Sequence, residues 1–179
     1  MTRHSRLLGL RLLLLAASAL LARAADTPLA GTWRIDPARS TELSPWKGYE
    51  LTLAVDGDTI TLRRELAWGR RKFSDTAVLD STRAVNVVPV EMWPDNRHLG
   101  AYIGGDRTKR VHARWLDDRR LLRLSTDLTL DTQQGPRAVN ILSDYKVSAG
   151  GARLTLTELR STRHRPVVYV FNRVAPVSP

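Results

Sequence analysis

The sequence predicts an all-β protein whose strands form an antiparallel, up-and-down β-barrel of about eight to ten strands. Three observations lead to this prediction. Apolar and polar residues alternate with a period of two along much of the chain, turn sequences separate the alternating runs, and no long run after residue 24 has the three- and four-residue spacing of a helix. A closed barrel is favoured over an open sheet because an open meander leaves two strand edges that invite aggregation.

The clearest hairpin lies between residues 49 and 62. Apolar residues occupy every second position from Tyr49 to Val55 and again at Ile60 and Leu62, and Asp56-Gly57-Asp58 stands between the two runs. Two alternating runs joined by a short turn that contains glycine are typical of a β-hairpin. This segment therefore predicts two paired strands with one apolar face.

The rest of the barrel follows the same rule. Alternating runs flank turn sequences at 117–119 and at 148–151, and the β-branched and aromatic run over 167–174 predicts a last strand. Stretch 89–105 interrupts the pattern with two prolines and three glycines, so we expect a long loop at the rim of the barrel. Less regular alternation predicts further strands at 31–36, 72–79 and 84–90.

Residues 1–24 have the pattern of a secretory signal peptide. Three arginines precede an apolar run of ten residues, Leu12 to Leu21, and Ala22-Arg23-Ala24 supplies the small residues of a cleavage site. The run is too short for a transmembrane helix, which needs about 20 apolar residues, and no lipobox cysteine follows it. We therefore expect an exported protein, periplasmic or secreted, with one barrel domain over residues 25–175 and a flexible tail over 176–179.

Charge and composition exclude several functional classes. The 179 residues include 28 Lys or Arg against 18 Asp or Glu, a formal charge of +10; four of the arginines lie in the predicted signal peptide, which leaves about +6. We expect no nucleic-acid partner for an exported protein of this moderate charge. The absence of cysteine excludes disulfides, thiolate metal sites and a cysteine nucleophile.

Segment 31–40, GTWRIDPARS, carries a recognisable pattern. It resembles the start of exported bacterial lipocalin-like proteins, which are mostly uncharacterised, and the Gly-x-Trp element at Gly31 and Trp33 is shared by the wider calycin superfamily. The resemblance implies that Arg173, on the last strand, packs over Trp33 and helps to close the base of the barrel. A cation–π contact of this kind contributes about 0.5–2 kcal/mol, so we expect all three residues to be structural.

Four polar residues fall on strand faces that are otherwise apolar, and they are the candidate ligand-binding residues of the lumen: Arg64, Thr126, Ser143 and Glu158. A charge buried without a partner is costly, so Arg64 and Glu158 are expected either to pair across the lumen or to receive a polar ligand. The alternative is that a bulge shifts the register, or that these strand ends reach water beyond the barrel mouth.

The sequence gives little support for catalysis or metal binding. Its histidines lack metal-ligand spacing, and Asp56-Gly57-Asp58 lacks the remainder of a calcium loop. Glu91, Asp95 and His98 form a loose acid–base group near the rim, but nucleophile-elbow, P-loop and dinucleotide motifs are absent. We therefore predict a protein that is not an enzyme and that uses no metal or cofactor.

The leading functional hypothesis is non-catalytic binding of a small hydrophobic or amphipathic ligand in the barrel lumen, where burial of ligand hydrocarbon against inward side chains drives binding. The alternative is an envelope interaction module that contacts acidic lipid or polysaccharide through an Arg-rich outer face. That alternative depends on four basic clusters, which are Arg63-Arg64, Arg70-Arg71-Lys72, Arg107-Lys109-Arg110 and Arg160-Arg163-Arg165.

Overall fold

Antiparallel strands make up almost all of the structure, a computed structural model that describes residues 27–41, 46–90 and 102–175. The helical content of these ranges is one 3-10 turn, Pro37–Arg39, and they contain no helix that is long and apolar enough to cross a membrane. The strands are β1 (Gly31–Ile35), β2 (Gly48–Asp56), β3 (Thr59–Trp68), β4 (Arg71–Asp80), β5 (Asn86–Pro89), β6 (Tyr102–Ile103), β7 (Thr108–Leu116), β8 (Leu121–Thr132), β9 (Gly135–Val147), β10 (Arg153–Arg160) and β11 (Val167–Arg173).

Ten strands form a single hydrogen-bonded path, in the order β4-β3-β2-β1-β11-β10-β9-β8-β7-β5, and the short β6 pairs with β8. Because β1 pairs with β11, the sheet curls on itself into a nearly closed barrel. The two strands at the ends of the path, β4 and β5, border the remaining seam. The predicted all-β, antiparallel barrel is confirmed, and its connections are mostly hairpins between neighbouring strands.

Three sequence predictions fall wholly or partly outside the described residues. The signal peptide at 1–24 and the tail at 176–179 lie outside them. The predicted rim loop at 89–105 is described only at its two ends, where Pro89 closes β5 and residues 102–103 form β6.

The alternation in the sequence sets which side chains face the interior. In the first hairpin Leu53 lies opposite Leu62 and Val55 lies opposite Ile60. Leu53, Ile60 and Leu62 are buried, whereas the intervening Thr61 and Arg63 are not. Apolar side chains from these and the remaining long strands fill the lower end of the barrel, which we define by the turns at 57–58 and 117–120. The guanidinium of Arg119 ties these two turns together by donating to the Gly57 carbonyl at 2.6 Å.

Trp33 and Arg173 close the lower end. Trp33 is fully buried, its indole N–H donates to the Leu29 carbonyl at 2.9 Å, and the Arg173 guanidinium lies 4.0 Å from the centroid of its ring. Arg173 also donates to the carbonyls of Gly151 and Ala30, each at 2.8 Å, and to that of Pro28. The structure thus places the three residues of the Gly-x-Trp resemblance together, since a Cβ at Gly31 would lie only 2.7 Å from an Arg173 nitrogen.

Asn86 fastens the lower part of the seam between β4 and β5. Its side-chain oxygen accepts from the Asp80 N–H at 2.8 Å, and its side-chain nitrogen donates to the carbonyls of Asp80 at 3.0 Å and of Val111 at 3.2 Å. The side chain therefore supplies both a donor and an acceptor at the seam, where the described parts of β4 and β5 do not pair with each other. Asn86 is 6% exposed, so water does not readily replace these bonds.

We expect Arg173→Ala to lower the free energy of unfolding by about 1–3 kcal/mol, because it removes the cation–π contact and leaves carbonyl groups without a charged donor. Arg173→Lys should recover only part of this loss, since an ammonium lacks the planar fork. Urea unfolding measures the effect. The control is Arg114→Ala, an exposed arginine on β7, which should change stability by less than about 0.5 kcal/mol; equal losses in the two alanine variants would contradict the closing role.

We expect Asn86→Ala to lower the free energy of unfolding by about 1–3 kcal/mol, because the buried partners of the amide lose their hydrogen bonds. Asn86→Asp should be no better, since a carboxylate cannot donate to the two carbonyls. Hydrogen exchange adds a local readout, with the Asp80 amide predicted to exchange faster. Asn140, exposed on β9 and bonded to Asp127 at 2.9 Å, gives the matched control Asn140→Ala. A loss in that control as large as in Asn86→Ala would argue against a special contribution of the Asn86 hydrogen bonds to the seam.

Candidate functional site

A cavity of about 80 Å³ lies in the barrel above the apolar lower end. Inward side chains of β3, β4, β7, β8, β9 and β10 line it, together with Val90 after β5. Aliphatic residues such as Leu62, Leu79 and Val111 form part of the wall, and charged and hydroxyl-bearing side chains form the rest. The cavity is therefore the place where the otherwise apolar interior becomes polar.

All four polar residues that the sequence assigned to the lumen line this cavity: Arg64, Thr126, Ser143 and Glu158. Glu158 on β10 lies directly opposite Ser143 on β9, and Ser143 lies opposite Leu124 on β8, two residues from Thr126. Residues two apart on a strand share a face, so the register brings these groups to one side of the wall. A shifted register or strand ends beyond the mouth, the alternative that the sequence left open, does not describe these four residues.

Arg64 has its own partner in the lumen. It lies directly opposite Asp75 on β4, where its Nε donates to the Asp75 Oδ1 at 2.7 Å and its terminal nitrogen donates to Oδ2. Burial opposes the charge on each group, but the shared hydrogen bonds outweigh it, so the pKa of Arg64 is raised and the pKa of Asp75 is lowered from their ordinary values. Arg64 and Asp75 therefore form a charged, bidentate pair.

Glu158 is also paired, with Arg160 two residues along the same strand. The Arg160 Nε donates to the Glu158 Oε2 at 3.0 Å, and the two side chains are only 9% and 11% exposed. Of the two roles expected for Arg64 and Glu158, pairing with each other across the lumen or receiving a polar ligand, the first is therefore wrong. Each charge finds a nearer partner, on the adjacent strand or on its own strand, because such neighbours are held within reach by the backbone.

Lys109 contributes a further cation to the wall of the cavity. It lies on β7, on the inward face that continues through the buried Val111 and Ala113. Its backbone pairs with Val88 and Leu128 in the sheet, but its ammonium makes no hydrogen bond or ion pair with any residue that the structure describes. Burial, assisted by the positive charge of Arg64, lowers the pKa of Lys109 to about 8, although the carboxylates of Asp75 and Glu158 act in the opposite direction.

Two buried tyrosines lie beside the charges. Tyr145 lines the cavity, and burial followed by the charge of Glu158 raises the pKa of its hydroxyl above the ordinary value. Burial also raises the pKa of Tyr49, which packs edge-on against Phe171 with ring centroids 5.0 Å apart. Both hydroxyls therefore stay protonated at neutral pH and are able to donate hydrogen bonds.

The structure distributes the four basic clusters of the sequence between the two faces of the barrel. Arg64, Lys109 and Arg160, one from each of three clusters, line the lumen, whereas Arg63 and Arg110 beside them point outward and are exposed. This separation follows from the strand period, because neighbouring residues in a strand face opposite sides. The outer face consequently carries fewer cations than the linear sequence indicates.

Other candidates from the sequence do not join the site. Glu91, Asp95 and His98 lie outside the described residues. His112 is exposed on the outer face of β7. Within residues 27–41, 46–90 and 102–175, no three His, Asp or Glu side chains converge in a way that would hold a metal ion.

The sequence reasoning missed Asp75, Lys109 and Arg160 as members of the site. Asp75 alternates with Phe73 and Ala77 on the inward face of β4, so the period-two pattern was available to identify it. Lys109 stands two residues before Val111, and the apolar run that marked this strand began only at Val111. The strand in fact begins at Thr108, one residue before Lys109.

Comparison with known proteins places the fold but gives no family. No family model and no curated protein matches the sequence. The crystal structure of secretory abundant heat soluble protein 4 from Ramazzottius varieornatus is similar, with a TM-score of 0.53 and 7% sequence identity over 86% of this chain and 100% of that one. A crystal structure of a secretory abundant heat soluble protein from the same organism has a TM-score of 0.49 and 8% identity, over 83% of this chain and 96% of that chain.

At 7% identity the similarity concerns the fold alone. It supports the antiparallel β-barrel fold. No sequence match ties the chain to exported bacterial proteins.

Proposed function

We propose that this protein is an exported, non-catalytic barrel that binds a small, partly apolar ligand in its lumen. The observation that carries the proposal is the concentration of inward polar groups around one cavity: Arg64, Lys109, Ser143 and Glu158 meet there, above a lower end filled by aliphatic side chains. Ligand sites commonly combine an apolar wall with a few polar groups that fix orientation. The signal-peptide pattern of residues 1–24 supports the export part of the proposal.

The inward charges are difficult to explain by stability alone. Replacement of a buried ion pair by apolar side chains of similar volume is often neutral or stabilising, because the charges lose their hydration. A barrel selected only to fold would be equally well served by apolar residues at both members of each pair, Arg64 with Asp75 and Glu158 with Arg160. Their presence beside an unfilled volume supports a role in receiving a polar part of a ligand.

The size of the cavity limits the ligand. At about 80 Å³ it has room for two or three water molecules or a small polar head group, whereas pockets for drug-sized ligands measure about 300–1,000 Å³. We infer that the head group and its first carbons occupy the cavity, next to Leu62, Leu79 and Val111, and that any longer tail extends towards the upper end of the barrel.

The envelope-module alternative has less support. Three of its four basic clusters each lose one cation to the lumen. Two arginines of the outer face are already matched with acidic residues on neighbouring strands: Arg34 contacts Glu50 at 3.1 Å, and Arg123 contacts Asp144 at 2.7 Å. A surface adapted to acidic lipid would instead leave its cations free to meet the membrane.

The proposal predicts that filling the cavity abolishes ligand uptake. We suggest saturation-transfer NMR with three six-carbon compounds that differ only in their polar end, namely hexanoate, 1-hexanol and hexylamine. At least one should bind the wild-type protein, and Ala77→Leu, which adds three carbons to the wall, should remove that signal. Ala77 lines the cavity and is 6% exposed.

Ala54→Leu serves as the matched control, because Ala54 is exposed on the outer face of β2. It should bind as the wild type does. Should Ala77→Leu fail to fold because of overpacking, Val111→Ala gives the opposite test, since enlarging the cavity should admit branched six-carbon compounds. Absence of binding by all three compounds, together with native mass spectra free of a co-purified small molecule, would overturn the proposal.

A further inference from the structure

We infer that the polar end of the ligand is a carboxylate and that the Lys109 ammonium binds it. The inference rests on the proposed function and adds to it the chemical class of the ligand. It follows from the balance of charge around the cavity, from the position of Lys109, and from the volume available there.

The charges of the described residues around the cavity do not cancel. Three cations, Arg64, Lys109 and Arg160, face two anions, Asp75 and Glu158. Arg64 is held by Asp75 and Arg160 by Glu158, so among the residues that the structure describes these two ion pairs leave Lys109 as the lining charge without an ionic partner. A cation that is partly withdrawn from water and has no counter-ion is unfavourable, and a bound anion would supply the missing partner.

Lys109 differs from the other lysines of the chain. The sequence contains four, and Lys47, Lys72 and Lys146 are all exposed. Lys109 lies on the inward face of β7, opposite Leu128 of β8, where an aliphatic residue would continue the core. Arginine supplies 24 of the 28 basic residues, so a lysine at this inward position departs from the usage of the chain. Lysine differs from arginine in carrying a compact charge on a flexible stem.

The cavity favours a small monoanion. One uncompensated positive charge is neutralised by one negative charge, whereas a dianion would leave an excess negative charge in the lumen. A carboxylate and a few carbons fit a volume of about 80 Å³ with aliphatic walls. The hydroxyls of Thr126 and Ser143 line the same volume and can donate to carboxylate oxygens. A cationic ligand would instead be repelled by Lys109.

The charge on Lys109 gives the binding a pH dependence of known sign. Burial lowers the pKa of Lys109 to about 8. A bound carboxylate favours the protonated amine, so affinity should be constant between about pH 6 and 7, where the ligand stays ionised, and fall as the pH rises above 8, by up to about tenfold per pH unit. The other charged or titratable groups that face the cavity are Arg64 on β3, Asp75 on β4, Tyr145 on β9, and Glu158 and Arg160 on β10. The pKa of the buried Tyr145 is raised and that of Asp75 is lowered, so neither titrates between pH 7 and 9.5.

The experiment compares hexanoate, 1-hexanol and hexylamine on the full-length protein by isothermal titration calorimetry. Hexanoate should bind the wild type at least about tenfold more tightly than 1-hexanol, since a charge-assisted hydrogen bond contributes more than 1.4 kcal/mol. Lys109→Met, which keeps an unbranched chain without the charge, should remove this preference. Lys109→Arg should keep it but lose the decline above pH 8, because guanidinium does not titrate there.

Lys146→Met is the matched control, because Lys146 is exposed on the outer face of β9, and hexanoate affinity should stay within about twofold of the wild type. Three results would overturn the inference while leaving the proposed function in place: equal affinity for 1-hexanol and hexanoate, an unchanged preference in Lys109→Met, or tighter binding of hexylamine. A loss in Lys146→Met as large as in Lys109→Met would place the carboxylate on the outer surface and overturn it as well. Failure of all three compounds, together with native mass spectra free of a co-purified small molecule, would overturn the proposed function itself.

Discussion

The pairing of the first strand with the last is the constraint on which the barrel depends. Most other pairings join neighbours in the chain through a hairpin, but β1 and β11 bring together residues as distant as Ala30 and Arg173, which are 143 positions apart. Closing so long a loop costs conformational entropy that hairpins largely avoid. The buried Trp33, with Arg173 across its face and three carbonyls around the guanidinium, concentrates stabilising contacts at this junction.

The sequence predicts the fold well because strand period and turn chemistry are local properties. Lumen residues such as Arg64 and Glu158 are recognisable for the same reason, since each interrupts an apolar face. Their partners are harder to predict. The contact between Arg64 and Asp75 depends on the register of β3 against β4. The hydrogen bonds of Asn86 to Asp80 and Val111 form only when β4 and β7, which lie near opposite ends of the sheet path, come together. These features belong to the closed barrel and have no signature in a single strand.

The difference between local patterns and contacts of the closed barrel also explains why the sequence does not predict the arrangement of charges in the lumen. The two ion pairs form between adjacent strands or within one strand, so each can be made when its hairpin is made. Lys109 reaches the cavity on β7, at the other side of the seam from Arg64 and Asp75 on β3 and β4. Among the described residues, Lys109 therefore comes to lie beside the two ion pairs only when the sheet closes, and a reading of the sequence strand by strand does not reveal this.

Closure and ligand binding are consequently linked along the seam. Trp33, Arg173 and Asn86 hold the lower end together, and the cavity lies above them with Ala77 and Leu79 of β4 on one side of the seam and Lys109 and Val111 of β7 on the other. A carboxylate held by Lys109 with its hydrocarbon against β4 would join the two sides through a bound molecule, as Asn86 joins them through a side chain. A ligand that binds the closed barrel and not the unfolded chain stabilises the closed barrel by mass action. The polar cavity, which costs the empty barrel some stability, would then return that stability when it is occupied.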